Sequence, residues 1–313
     1  MAIQHIDIHK FNKVVIIYNR NSGKQLFASM FARINEVYRC LKQVLGTRVV
    51  DFVAIERFAE LDGVVDYIVE EKADWVIIAG GDGTIRAAIE KIYNRGHRPH
   101  ISVFPAGTVN LVAKELNMSI EPYRWCRKVL KGAEIPVYMG RANGNAFVTV
   151  AGIGFDSLVV GRVNETTKKF LNKLAYVLEG GVLIHKEMLF KDWQYSFKVR
   201  FDDEEKTYDA ASIIVGKSRY YAGRYNLFRG ANMSESFFHV ALFTGKTQSE
   251  FARYASLIGL EALELDPTII IKQAKKLEIT CNVGEFPVEL DGDAVTATPL
   301  VIEMENTPIK FIG

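Results

Sequence analysis

Glycine stands beside small hydroxyl and amide side chains in three short stretches of the chain: Tyr18-Asn19-Arg20-Asn21-Ser22-Gly23-Lys24, Gly80-Gly81-Asp82-Gly83-Thr84 and Pro105-Ala106-Gly107-Thr108-Val109-Asn110. Each stretch follows an apolar run and precedes residues at helical spacing. Exposed N–H groups at such a helix start, together with the helix dipole, favour an anion such as phosphate. Glycines and helix caps also occur wherever a strand turns into a helix, so any one of these stretches alone reads as an ordinary turn. All three at one edge of one sheet read as a phosphate site. Asp82 narrows the chemistry, because a carboxylate among phosphate-binding glycines repels the ligand unless Mg²⁺ intervenes or the acid binds an acceptor hydroxyl. Phosphoryl transfer is the reaction class that explains the combination.

The elements that must position these turns alternate along the first third of the chain. Val14 to Tyr18 is an apolar run, after which Leu26, Phe27, Met30, Phe31, Ile34, Val37, Tyr38, Leu41 and Leu45 recur at helical spacing. The unit repeats as Arg48 to Ile55 with a helix near 58–72, Trp75 to Ala79 with a helix from 84, and Ile101 to Pro105 with a helix from 108. Four strand–helix units imply an open parallel sheet covered on both faces, which binds ligands at the carboxyl ends of its strands. After Pro136 the pattern changes to antiparallel β, read as a sandwich. Val137 to Ala142 and Ala146 to Ala151 flank the hairpin signal Asn143-Gly144. Further strands are expected at Gln194–Phe201, Ala210–Val215, Phe237–Thr244, Leu277–Asn282, Val288–Leu290 and Leu300–Glu305, with helical character over 167–190 and 248–263. The chain therefore divides into 1–138, α/β, and a β domain from 139.

Composition bounds the function. The 313 residues suffice for two domains, and 39 Lys and Arg against 37 Asp and Glu leave a net charge of +2, which calls for no nucleic-acid partner. Cys40, Cys126 and Cys281 have no metal-ligand spacing and fit reduced thiols. No apolar stretch has the length of a signal peptide or membrane span, so the expectation is a cytoplasmic protein with at most peripheral contact at the inner face of the membrane. Gly216-Lys217-Ser218 looks like the end of a P-loop, but position 211 is alanine and Ser212 to Val215 reads as a strand. Gly152 to Ser157 lacks the third glycine of a dinucleotide fingerprint. His5, His9, His97 and His100 read as surface histidines rather than metal ligands.

Together the turns resemble the diacylglycerol kinase catalytic-domain family, bacterial lipid kinases that are similar to sphingosine kinases and, more distantly, to NAD kinases. The signature is GGDGT at 80–84; PAGTVNLVAKEL at 105–116, AGIGFDS at 151–157, RYYAG at 219–223 and LDGDAVTATPLVIE at 290–303 follow in the family's order.

The resemblance implies an ATP-binding α/β domain, a β-sandwich lipid-acceptor domain over 139–303 that closes over it, and a last segment, 304–313, returning to the first. It implies that Asn19, Arg20, Asn21, Ser22, Gly23, Gly80, Gly81, Asp82, Gly83, Thr84, Thr108 and Asn110 hold the nucleotide. Asp82 would also serve the catalytic Mg²⁺. Asp293 would be the general base that takes a proton from the lipid hydroxyl, although Asp291-Gly292-Asp293 by itself reads as a hairpin turn. Several positions depart from the family: Asp293 replaces the common glutamate, Arg86-Ala87 replaces Asn-Glu, and the loop 54–57 lacks a threonine. Arg224 replaces a glycine, and Glu235-Ser236 replaces an Asp-Gly associated with a structural Mg²⁺. The implied function is an ATP- and Mg²⁺-dependent lipid kinase with diacylglycerol as the default acceptor. The alternatives are a kinase of a soluble or sphingoid acceptor, or a nucleotide-binding regulatory protein with weakened catalysis. Homodimer formation is left open. A lipid kinase must dock on a bilayer, and Phe170–Phe190 mixes an apolar stripe with Lys173 and Lys186, flanked by Lys168, Lys169 and Lys191. Such a stripe also packs on its own domain.

Overall fold

The computed structural model describes residues 4–22, 27–46, 49–155, 157, 193–202 and 204–313. The expected helical stretch over 167–190, with its lysines, lies outside them, as does Gly23. The chain forms two compact units, Met1–Val137 with Thr307–Gly313, and Tyr138–Asn306, against the expected divisions after 138 and 303.

In the first unit β1 (Gln4–His5), β2 (Val14–Asn19), α1 (Phe27–Leu45), β3 (Val49–Ile55), α2 (Leu61–Glu70), β4 (Trp75–Gly80), α3 (Asp82–Asn94), β5 (His100–Pro105), α4 (Leu111–Glu115), α5 (Pro122–Val129) and β6 (Ala133–Val137) follow in order. The strand Ile309–Ile312 returns to this unit and completes a seven-stranded sheet ordered β1, β6, the returning strand, β5, β4, β2, β3. From the returning strand to β3 all neighbours are parallel, while β6 and β1 add antiparallel pairs at one edge. The sheet is thus mixed rather than purely parallel. Every residue of β2 and β4 is buried, as continuous apolar runs covered on both faces require. The Trp75 indole N–H donates to the Ser102 hydroxyl at 3.1 Å, which donates to the Ile312 carbonyl at 2.8 Å, lacing β4, β5 and the returning strand together.

Two helix starts differ from the expectation. α3 begins at Asp82, inside the glycine turn, because Gly81 is still extended and serves as its N-cap. The helix expected from 108 is delayed to Leu111 by Asn110, whose φ of +57° is left-handed, and Asn117 at φ +52° follows its end before Pro122 opens α5.

The second unit is an antiparallel sandwich. One sheet runs Thr207–Ala210, Phe197–Phe201, Lys276–Cys281, Leu300–Met304, Gly140–Ala142, Asn145–Phe147; the other runs Ile269–Ala274, Phe238–Phe243, Ser212–Gly216, Val150–Ile153, Pro287–Leu290, Asp293–Ala297. Their facing side chains share one core, in which Phe147 of the first stacks on Phe238 of the second at 5.5 Å between ring centroids. The stretch expected as one strand over Ala146–Ala151 is two strands, one in each sheet, with the crossing at Val148-Thr149. Thr207–Ala210, Ile269–Ala274 and Asp293–Ala297 are strands that the sequence pattern did not mark. A helix, Gln248–Gly259, starts at Thr247 with a reciprocal capping box to Glu250.

Candidate active site

The glycine turns leave β2, β4 and β5, which are neighbours in the sheet, so parallel pairing brings their carboxyl ends to one edge. Side chains then stitch them. The Asn19 amide donates to the Thr84 hydroxyl at 2.8 Å in a buried contact, and Asn19 Oδ1 accepts from the Asn21 N–H at 2.9 Å. The two Asp82 carboxylate oxygens accept the backbone N–H groups of Leu111 and Val112, both at 3.0 Å. Asp82 therefore starts α3 and caps α4 as well. Asn110 closes its own turn, accepting from Gly107 N–H at 2.8 Å and donating to Gly107 C=O at 2.9 Å.

The glycines have specific causes. A Cβ on Gly80 would lie 2.7 Å from Thr84 Cβ, so a larger residue there would expel the side chain that Asn19 binds. A Cβ on Gly107 would lie 2.4 Å from Gly81 Cα, so the second and third turns touch backbone to backbone. Arg20 reaches Glu56 at 3.1 Å, and the Asn21 amide donates to Glu56 C=O. Ser22 is almost buried and its N–H returns to Asn19 C=O at 3.1 Å. Thr108 is exposed, and Gly83 lies in the first turn of α3. Asn19, Gly80, Gly81, Asp82, Thr84, Gly107 and Asn110 are thus one interlocked cluster. Its donor set toward a metal consists of hard oxygens, the kind Mg²⁺ takes.

Asp293 belongs to the second unit. It pairs with Leu290 across a hairpin whose turn is Asp291-Gly292, with φ of +51° and +93°, the geometry of a two-residue type I′ turn. Asp293 itself is exposed at the start of its strand. The residue that sequence reasoning passed over is Asp291. Its carboxylate accepts the N–H groups of Val148 (2.7 Å), Thr149 (2.8 Å) and Val150 (3.0 Å), and the Thr149 hydroxyl. Burial pushes the Asp291 carboxyl above its usual range, against the pull of these donors. Asp291 thus fixes the Asp293 hairpin to the point where the chain changes sheets.

The Glu235 carboxylate faces His239 Nε2 at 2.9 Å and accepts the Asn232 N–H at 3.2 Å. Among the described residues no three metal-ligating side chains come together. The Lys217 ammonium takes up the main-chain carbonyls of Glu235 and Phe237, so the residues present do not fit the structural Mg²⁺ that the resemblance associates with this position. His97 and His100, expected at the surface, are half-buried: His100 meets Glu134 at 2.7 Å and His97 the Ala73 carbonyl at 2.6 Å, while His5 and His9 are exposed. Among the described residues no helix is long and apolar enough to cross a membrane.

Comparison with known proteins agrees with this anatomy. Residues 13–142 match the model of the diacylglycerol kinase catalytic domain, and residues 149–312 that of the YegS C-terminal NAD kinase beta sandwich-like domain. A diacylglycerol kinase of Bacillus subtilis is 25% identical over 280 residues, covering 89% of this chain and 88% of the relative. One from Staphylococcus carnosus is 23% identical over 278 residues, covering 89% and 87%. The crystal structure of a diacylglycerol kinase from Bacillus anthracis superposes with a TM-score of 0.76 at 20% identity, covering 97% of each chain, which shows a shared fold. With both models matched in order across nearly its whole length, the chain belongs to the diacylglycerol kinase catalytic-domain family with a YegS-type β-sandwich.

Proposed function

We propose that the protein is an ATP-dependent lipid kinase that transfers the γ-phosphoryl group to a lipid hydroxyl, with diacylglycerol the default acceptor. The observation that carries this reading is the interlocked cluster of glycine turns at the carboxyl edge of β2, β4 and β5, in a chain of this family. These turns would hold the nucleotide phosphates, and Asp82 would hold Mg²⁺, which neutralises charge on the phosphate oxygens. Asp293 would accept the proton of the acceptor hydroxyl as its oxygen attacks the γ-phosphorus and ADP departs.

An acceptor screen tests the reading. Purified protein is given ATP and Mg²⁺ with mixed lipids and soluble alcohols, and products are read by mass spectrometry. A phosphorylated lipid is expected. Phosphorylation of soluble alcohols alone would move the acceptor class, and nucleotide binding without any product would favour a regulatory protein.

A further inference from the structure

Lys217, whose Gly-Lys-Ser context proved to be the end of the strand Ser212–Gly216 rather than a P-loop, is 1% exposed. A lysine is almost never so buried without compensation. Its ammonium group donates to two main-chain carbonyls, Glu235 C=O and, at 3.0 Å, Phe237 C=O, and the Glu235 carboxylate supplies an attractive charge. The backbone of Lys217 is held as firmly, its N–H donating to Thr149 C=O at 2.8 Å. The loop that carries these acceptors lies across the end of the strand. The Phe228 ring occupies the space a Cβ on Gly216 would need, at 2.5 Å, and Met233 C=O accepts from the Tyr138 N–H at 2.9 Å.

Two carbonyls converging with a carboxylate nearby are oxygen ligands of the kind that coordinate a hard cation. We infer that the Lys217 ammonium is the built-in cation of this loop, doing the work of the structural Mg²⁺ that the resemblance associates with the position of Glu235, so that the second unit folds without a divalent metal. The ammonium satisfies the same carbonyls with directed hydrogen bonds, and its charge is fixed to the chain. The inference is independent of whether the turns of the first unit bind nucleotide.

The test is thermal unfolding without nucleotide. Wild-type protein is expected to melt at the same temperature in EDTA and in Mg²⁺. Lys217→Ala is expected to melt ~5 °C lower or more, because two buried carbonyls lose their donor. Methylammonium or Mg²⁺ should return part of that loss, whereas Lys217→Met, which fills the space without charge, should stay low and gain nothing from either cation. Loss of wild-type stability in EDTA with recovery in Mg²⁺ would overturn the inference. So would Lys217→Met melting like wild type, or a folded Lys217→Ala that no cation rescues. Should Lys217→Ala fail to fold, acylation of native wild-type protein in EDTA decides: Lys217 should stay protected, and ready modification would count against its role.

Discussion

Gly81 and Gly107 meet backbone to backbone, so closely that a Cβ on Gly107 would stand 2.4 Å from Gly81 Cα. No side-chain rotation relieves that overlap, so Gly107→Ala must push the turns after β4 and β5 apart. The expected cost is ~1–3 kcal/mol of stability, typical of overpacking. ATP affinity should fall ~10-fold or more, because ~1 Å of misplacement is expensive in a preorganised site. Calorimetric titration with ATP measures it, and wild-type affinity would show that the turns do not bind as a unit.

Asp82 uses both carboxylate oxygens on the N–H groups of Leu111 and Val112. An amide in place of this carboxylate would keep one acceptor and turn an N–H₂ group toward the other donor. Asp82→Asn should therefore lose ~1–3 kcal/mol as well as phosphoryl transfer, whereas an ordinary cap would tolerate the exchange. Chemical denaturation and a transfer assay read the two effects separately. Near-wild-type turnover would reject a catalytic role for Asp82.

The two acids of the Asp-Gly-Asp turn should separate cleanly. Asp291→Ala strands three N–H groups and the Thr149 hydroxyl, a loss on the order of 3 kcal/mol. Asp293→Asn, at an exposed position, should stay within ~0.5 kcal/mol of wild type. Equal stabilities for the two variants in urea would contradict the tie between Asp291 and the sheet crossing.

Burial lowers the Lys217 ammonium from its ordinary 10.5 to about 8, against the attraction of Glu235. Between these values the unfolded chain holds a proton that the folded chain has released, so stability attributable to this group rises with pH across that window and is flat below it. The gain is on the order of 3 kcal/mol at most. Subtracting the pH profile of Lys217→Met isolates it from other groups, including the facing Glu235 and His239. A difference profile that is flat from pH 8 to 10.5 would contradict the lowered pKa and would mean that the carbonyl contacts hold the charged form against burial.

The strand–helix alternation and the three glycine turns were legible because each is local: an apolar run, a glycine turn, a helical period. The division of Ala146–Ala151 between two sheets was not, because its apolar residues remain buried on either side of the crossing and the residue enforcing it, Asp291, lies far along the chain. Ile269–Ala274 is short and ends in Lys272, Gln273 and Ala274, so it carries little alternation to read. Asp82 was marked by its chemistry, but its partners at Leu111 and Val112 depend on the parallel neighbours β4 and β5. Lys217 was set aside as a false motif, since nothing in the sequence brings Glu235 and Phe237 to its amine.

The most direct test of the lipid-kinase assignment is transfer of γ-labelled phosphate from ATP to diacylglycerol in mixed vesicles, comparing wild type with Asp293→Asn. The prediction is labelled phosphatidic acid from the wild type and a rate ~10²- to 10⁴-fold lower from the variant, with ATP binding unchanged, as loss of a general base requires. No labelled lipid from wild-type protein that binds ATP, or equal rates from the two proteins, would contradict it.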